Sequence, residues 1–178
     1  IDGHEPRRQT SRKTAESHRA KQIVTWQASC RSDIDRVADS AMNLQVVGCS
    51  HHSTSIAVRE KLAFNGQQTA EALDRWRDEF PQVEAVLLST CNRVELYTAA
   101  EQGMPGRDEV AAFLAGCHKL SAEEVAPYLT VHNSREAVRH LFTVASSLDS
   151  MVVGETQILG QVKQAYRLAS ERKTAGPL

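Results

Sequence analysis

The sequence predicts an α+β domain, a ferredoxin-like β-α-β-β-α-β antiparallel sheet with additional C-terminal helices. Three observations predict it. Four short, β-rich apolar runs stand at 44–48 (LQVVG), 83–90 (VEAVLLST), 93–100 (RVELYTAA) and 125–132 (VAPYLTVH),. Only a few residues separate the middle two, which makes them a hairpin. Stretches of helical spacing lie between the first strand and the hairpin and between the hairpin and the last strand, which is the split βαβ order.

Each element follows from its pattern. Gly48 ends the first run. Residues 55–63 and 67–79 read as helices, with Ile56, Val58 and Leu62, then Ala70, Leu73 and Trp76, near helical spacing; Pro81 closes the stretch,. In the second hairpin strand Val94, Leu96 and Thr98 share one face, and Glu95 and Tyr97 the other,. DEVAAFLAGCHKL (108–120) is helical. Asn133 is placed to cap the next helix with Glu136 as its capping-box partner, ahead of an apolar stripe at Ala137, Val138, Leu141, Val144, Ala145 and Leu148,. A last helix is expected from near Glu155 to about Arg172.

The 178 residues carry 21 basic and 22 acidic side chains and are 41% hydrophobic, enough for one packed domain,. The basic excess of a dedicated nucleic-acid binder is absent. There is no apolar run of roughly 18 residues and no secretory signal, so the chain reads as non-membrane. Cys30, Cys49, Cys91 and Cys117 form no CxxC pair, which fits a reducing cytoplasm,. Residues 1–41 are polar and aperiodic, with eight basic and six acidic residues, and read as a disordered or non-native extension ahead of a natural start at Met42,. A genuine N-terminal tail is the alternative; six acidic residues are too many for a transit peptide.

Three segments carry chemistry. SerThrCysAsnArg (89–93) falls in the hairpin turn. A cysteine ending an apolar strand is usually buried filler, but Asn92 marks the chain leaving the sheet, and a guanidinium two residues on, at Arg93, favours the nucleophilic thiolate. Thr90 and Asn92 can offer a hydroxyl and an amide to a polarised carbonyl. GlyCysSerHisHisSerThrSer (48–55) leaves the first strand; three ligands within four residues do not match ordinary zinc spacing, so His51 reads as a structural or substrate-positioning group,. In residues 140–163, Gly154 and Gly160 do not form a dinucleotide fingerprint. Gln157, Gln161 and Gln164 share a helix face, which spacing alone explains equally well as a solvated surface, and His140 borders an apolar stripe, where a packed histidine is the commoner finding,.

Taken together, GCSHHSTSIAVRE, STCNRVE and LDSMVVGETQILGQVK, in that order over residues 43 to about 170, resemble the glutamyl-tRNA reductase family. The resemblance implies a catalytic N-terminal domain over 42–170, with 171–178 beginning a linker to an NADPH-binding domain absent from this chain. It places the nucleophile at Cys91 and the activity-linked histidine at His140. It places substrate contacts at Thr90, Asn92, Arg93, Ser150, Glu155, Thr156, Gln157 and Gln161, with His51 in the neighbouring loop. It implies reduction of glutamyl-tRNA to glutamate-1-semialdehyde through a cysteine thioester, the first step of tetrapyrrole synthesis from glutamate. NADPH would be bound outside this chain and no metal is needed. A homodimer through a missing C-terminal domain and channelling to glutamate-1-semialdehyde aminotransferase are further implications. Arg93 is the expected reader of the substrate γ-carboxylate. Thr54 and Ser55 stand where the family has Ala-Pro, and Ser147 where Gly is common. Two rivals are a thiol-dependent acyl-ester hydrolase and a non-catalytic aminoacyl-tRNA-binding module.

A chain starting at Met42 should melt with the full chain. A midpoint lowered by several degrees would mean that residues 1–41 pack on the domain.

Overall fold

The computed structural model describes residues 43–149 and 157–176, all within one unit, Ala41–Leu178. Its elements are β1 (Asn43–Ser50), α1 (Ile56–Leu62), α2 (Gly66–Glu79), β2 (Glu84–Ser89), β3 (Arg93–Ala100), α3 (Arg107–Cys117), α4 (Ala122–Val125), β4 (Thr130–Asn133), α5 (Ser134–Ala145) and α6 (Gln157–Glu171). The four strands form one antiparallel sheet in the order β2-β3-β1-β4, with β3 and β1 central. This is the ferredoxin-like order, and the hairpin and both crossovers stand where the sequence pattern put them.

Alternation along the strands decides which helices cover which face. Val47, Cys49, Leu87, Val94 and Leu96 point to the face covered by α2 and α3, where Trp76 and Phe113 meet edge to face at 4.9 Å. Trp76 Nε1 donates to the carbonyl of Val83 at 3.0 Å, so the indole is buried without an orphaned donor,. Val46, Leu88 and Tyr97 point the other way, beneath Ala137 and Val144 of α5 and Ile158 of α6. The sheet is thus sandwiched between two helical layers, and β3 is buried along its whole length. Packing continues past α6: Ala85 N donates to Thr174 O at 2.6 Å, and Arg172 pairs with Asp74 at 2.8 Å.

Several local expectations are corrected. Of the strand expected over 125–132, residues 125–129 are not strand. Ser121 and Glu124 build a capping box that starts α4, and Pro127 follows in a 3-10 turn, since it has no N–H for a ladder,. Only Thr130–Asn133 joins the sheet. Asn133 precedes α5 but makes no side-chain cap; its Oδ1 accepts from Gln45 Nε2 at 3.2 Å, a cross-strand bond that wins over the cap. Ile56 faces outward, at 65% exposure, although its spacing matched the apolar face. The first strand does not stop at Gly48 but runs on to Ser50.

Two backbone positions account for this layout. Gly48 sits opposite Glu95, and a Cβ there would lie 2.2 Å from Val94 O and 2.6 Å from Glu95 Cα, so only glycine allows β1 and β3 to approach,. At the end of α5, Leu148 N donates to Thr143 O and Ser147 N to Val144 O, the Schellman pattern, with Ser147 left-handed at φ 63°,. A Cβ is disfavoured there, and the Ser147 hydroxyl is buried without a partner among the described residues.

Two substitutions test these constraints by urea denaturation. Gly48→Ala should lower stability by about 1–3 kcal/mol, because backbone atoms must move; an unchanged midpoint would show that the strands can yield freely. Ser147→Gly should raise it by about 1 kcal/mol by relieving the left-handed strain; a loss would mean the hydroxyl has a partner that matters.

Candidate active site

The hairpin turn is tied down at several points. Thr90 N donates to Arg93 O at 2.8 Å, and Thr90 Oγ1 accepts from the backbone N–H groups of Asn92 and Arg93 at 3.2 Å each. Those two donors are therefore taken up within the turn, while the Thr90 hydroxyl hydrogen is left for other partners. From the end of β1, His51 N donates to Asn92 O at 2.8 Å. From α1, the buried Arg59 reaches Cys91 O at 3.4 Å and Thr54 O at 2.5 Å. Cys91 projects from this fixed turn into solvent. Ser55, which precedes α1, has φ −68°, the angle a proline would impose, so the Thr54-Ser55 departure keeps the loop geometry,.

The other described thiols differ in kind. Cys49 lies in the apolar core and burial pushes its thiol up; burial does the same to Cys117. With Cys49 in the core, the sequence cluster Cys49-His51-His52 does not converge. Among the described residues no group of three His, Cys, Asp or Glu side chains is arranged to hold a metal.

Beside the turn, Arg93, Glu95 and Tyr97 follow one another on the same face of β3. Arg93 is 1% exposed and Glu95 3%. Glu95 Oε1 accepts from Arg93 NH1 at 2.8 Å and lies 2.9 Å from His140 Nε2, while Oε2 accepts from the Tyr97 hydroxyl at 2.6 Å. Burial alone would push the Glu95 carboxyl up, but the hydrogen bond from His140 and the Arg93 charge outweigh it and hold it below its ordinary value,. Burial and the neighbouring Glu95 carboxylate push the Tyr97 hydroxyl up, so it stays a donor. The second Arg93 nitrogen, NH2, donates to Asp149 O at 2.6 Å and Oδ2 at 2.9 Å, and Asp149 Oδ1 lies 2.9 Å from His52 Nε2. Burial opposes the charge of Asp149 too, and Arg93 and His52 hold its carboxyl low. An unbroken chain of polar contacts therefore runs from His52 through Asp149, Arg93 and Glu95 to His140.

The residues singled out by sequence fall into three groups. Thr90, Cys91, Asn92, Arg93, His51 and His140 are brought together at the hairpin and its polar chain. The His51 ring lies against that of His52, centroids 3.8 Å apart and planes tilted by 39°, and burial, followed by the His52 charge, lowers its basicity. Gln157 and Gln161 lie in the first turns of α6, Gln157 exposed and Gln161 half-buried. Ser150, Glu155 and Thr156 lie outside the described residues. Arg93 does not present an open fork to solvent: both terminal nitrogens already hold carboxylates. Sequence reasoning missed Glu95, Asp149, His52 and Arg59. Glu95 left a readable trace, since an Arg and a Glu two apart in an otherwise apolar strand share a face and can pair once that face is covered.

Comparison with known proteins places this arrangement. A family model described as "Glutamyl-tRNAGlu reductase, N-terminal domain" matches residues 47–178. Glutamyl-tRNA reductase of Bacillus subtilis is 44% identical over 137 residues, covering 77% of this chain and 30% of the relative. That of Geobacter metallireducens is 48% identical over 135 residues, covering 76% and 31%. The solved glutamyl-tRNA reductase of Methanopyrus kandleri superposes with a TM-score of 0.58 at 35% identity, covering 75% of this chain and 29% of that one. The chain thus spans about a third of the length of these relatives. Across that span it belongs to the family of glutamyl-tRNA reductase N-terminal domains.

Proposed function

We propose that this chain is the substrate-holding, nucleophile-bearing part of a glutamyl-tRNA reductase, acting in the cytoplasm on the first step of tetrapyrrole synthesis. The observation that supports this best is the contrast among its described cysteines: only Cys91 is exposed, and it stands on a rigid turn beside the Arg93–Glu95–His140 chain. The Cys91 thiolate attacks the ester carbonyl joining glutamate to tRNA. The S–C bond forms, the C–O bond breaks, and the tRNA hydroxyl leaves with a proton, giving a thioester. His140 is the candidate donor of that proton. Thr90 and Asn92 line the carbonyl side. Arg93 reads the substrate carboxylate by letting it take the position Asp149 holds, since its inner edge belongs to Glu95. Ser150, Glu155, Thr156, Gln157 and Gln161 are the further substrate contacts that the family resemblance implies.

The hydride that would turn the thioester into glutamate-1-semialdehyde would come from NADPH held outside the described residues. The described residues do not fit it: their sheet is antiparallel throughout, and in the sequence neither Gly154 nor Gly160 belongs to a GxGxxG motif,. The hydride step, a homodimer and channelling to the aminotransferase belong to sequence beyond the matched stretch.

Under single-turnover conditions Cys91→Ser should slow transfer of labelled glutamate from glutamyl-tRNA to protein by about two to four orders of magnitude, because serine has almost no alkoxide at neutral pH. Folded Cys30, Cys49 and Cys117 variants should stay within a few-fold of the parent. The adduct should map by mass spectrometry to the peptide holding Cys91. With NADPH added, this chain alone should give no semialdehyde above background. An adduct elsewhere, or a Ser variant at the parent rate, excludes the covalent reading. A Cys91 adduct that water clears rapidly favours the thiol-dependent acyl-ester hydrolase, and binding without deacylation the aminoacyl-tRNA-binding module.

A further inference from the structure

Glu95 lies outside every role assigned above, yet it is the point on which the polar chain converges. A carboxylate this deeply buried is unfavourable unless donors satisfy it. Glu95 has three, each from a different side chain: Arg93 and His140 on Oε1, Tyr97 on Oε2. An ionised carboxylate can only accept, so the His140 nitrogen facing it, Nε2, must carry hydrogen. Neutral His140 then has its lone pair on Nδ1, and Nδ1 is the nitrogen that can take or give a proton. The ring is held from its face as well, since His132 of β4 stacks on it at 4.5 Å and 16°. Gly48 supplies the room, because a Cβ there would fall 2.9 Å from Glu95 Cγ. The ionisable groups around the pair are Arg93 and Tyr97 on β3, His132 on β4, Glu136 on α5 and Asp149 beyond it.

Resting on the function proposed above, we infer that Glu95 is a positioning residue of this site: its buried carboxylate fixes His140 with Nδ1 as the proton-exchanging nitrogen. The arrangement matches the general habit by which a carboxylate behind an imidazole selects its tautomer and orientation. It also explains why an acidic side chain sits in the middle of a sheet covered on both faces.

The tautomer is measurable directly. Two-bond 15N–1H spectra of the histidine-labelled chain near neutral pH should show His140 carrying hydrogen on Nε2. Hydrogen on Nδ1 with a bare Nε2 overturns the inference, and this needs no variant. Glu95→Gln, whose amide can itself donate to the ring, should shift population toward Nδ1–H. It should slow single-turnover transfer to Cys91 by about tenfold to a hundredfold, with little change in the glutamyl-tRNA concentration at half-saturation. In a His140→Ala background the same substitution should cost less than about twofold further, as expected of residues acting as a unit. Equal slowing in both backgrounds, or Glu95→Gln at the parent rate, reduces Glu95 to a structural role and overturns the inference. Failure of the Cys91 reading is separable: the parent would then form no adduct, while the tautomer would still decide the place of Glu95.

Discussion

The strand carrying the candidate site is buried on both faces, and this constraint organises the domain. A half-buried strand could turn Arg93, Glu95 and Tyr97 to water. Covered by α5 and α6, β3 cannot, so its polar face must be satisfied from within. Glu95 meets that demand with one donor from its own strand's start, one from two residues on, and one from α5. The C-terminal helices are therefore part of the site's construction and not an appendage to the sheet. The same demand reaches into β1, where Gly48 lets the backbone pass beside Glu95.

Two halves of the hairpin divide the work. Its turn exposes a thiol on a backbone whose hydrogen bonds are closed by Thr90, His51 and Arg59, so the side chain leaves a fixed point. Its second strand buries the charges that orient neighbouring groups. A site held by sheet and packed helix is positioned more tightly than one on a free loop. Cys49, one strand away and facing the apolar layer, shows how far the outcome depends on placement: burial raises its thiol and leaves it a core side chain.

Much of this was legible in the chain itself. The hairpin, the helices flanking it and the order of strands follow from local periodicity and turn residues, which act between near neighbours. The turn position of Cys91 follows from the same logic. Local rules failed where two of them competed. At residues 125–132 the apolar run suggested strand, but the Ser121–Glu124 box and Pro127 favoured helical turns. At Asn133 a cap signal lost to a bond with Gln45, 88 residues away.

The amino-acid sequence by itself determined the α+β layout, the site-bearing turn and the kinship of its three motifs, because these are properties of short segments. Only the tertiary structure decided that Arg93 has both terminal nitrogens engaged, that Asp149 joins His52 to Arg93, and that Glu95 is the shared partner of Arg93, Tyr97 and His140. The contacts that join these elements span 45 to 97 residues of chain. No spacing rule reaches that far: such partners meet only once both faces of β3 are covered and its buried charges must find one another.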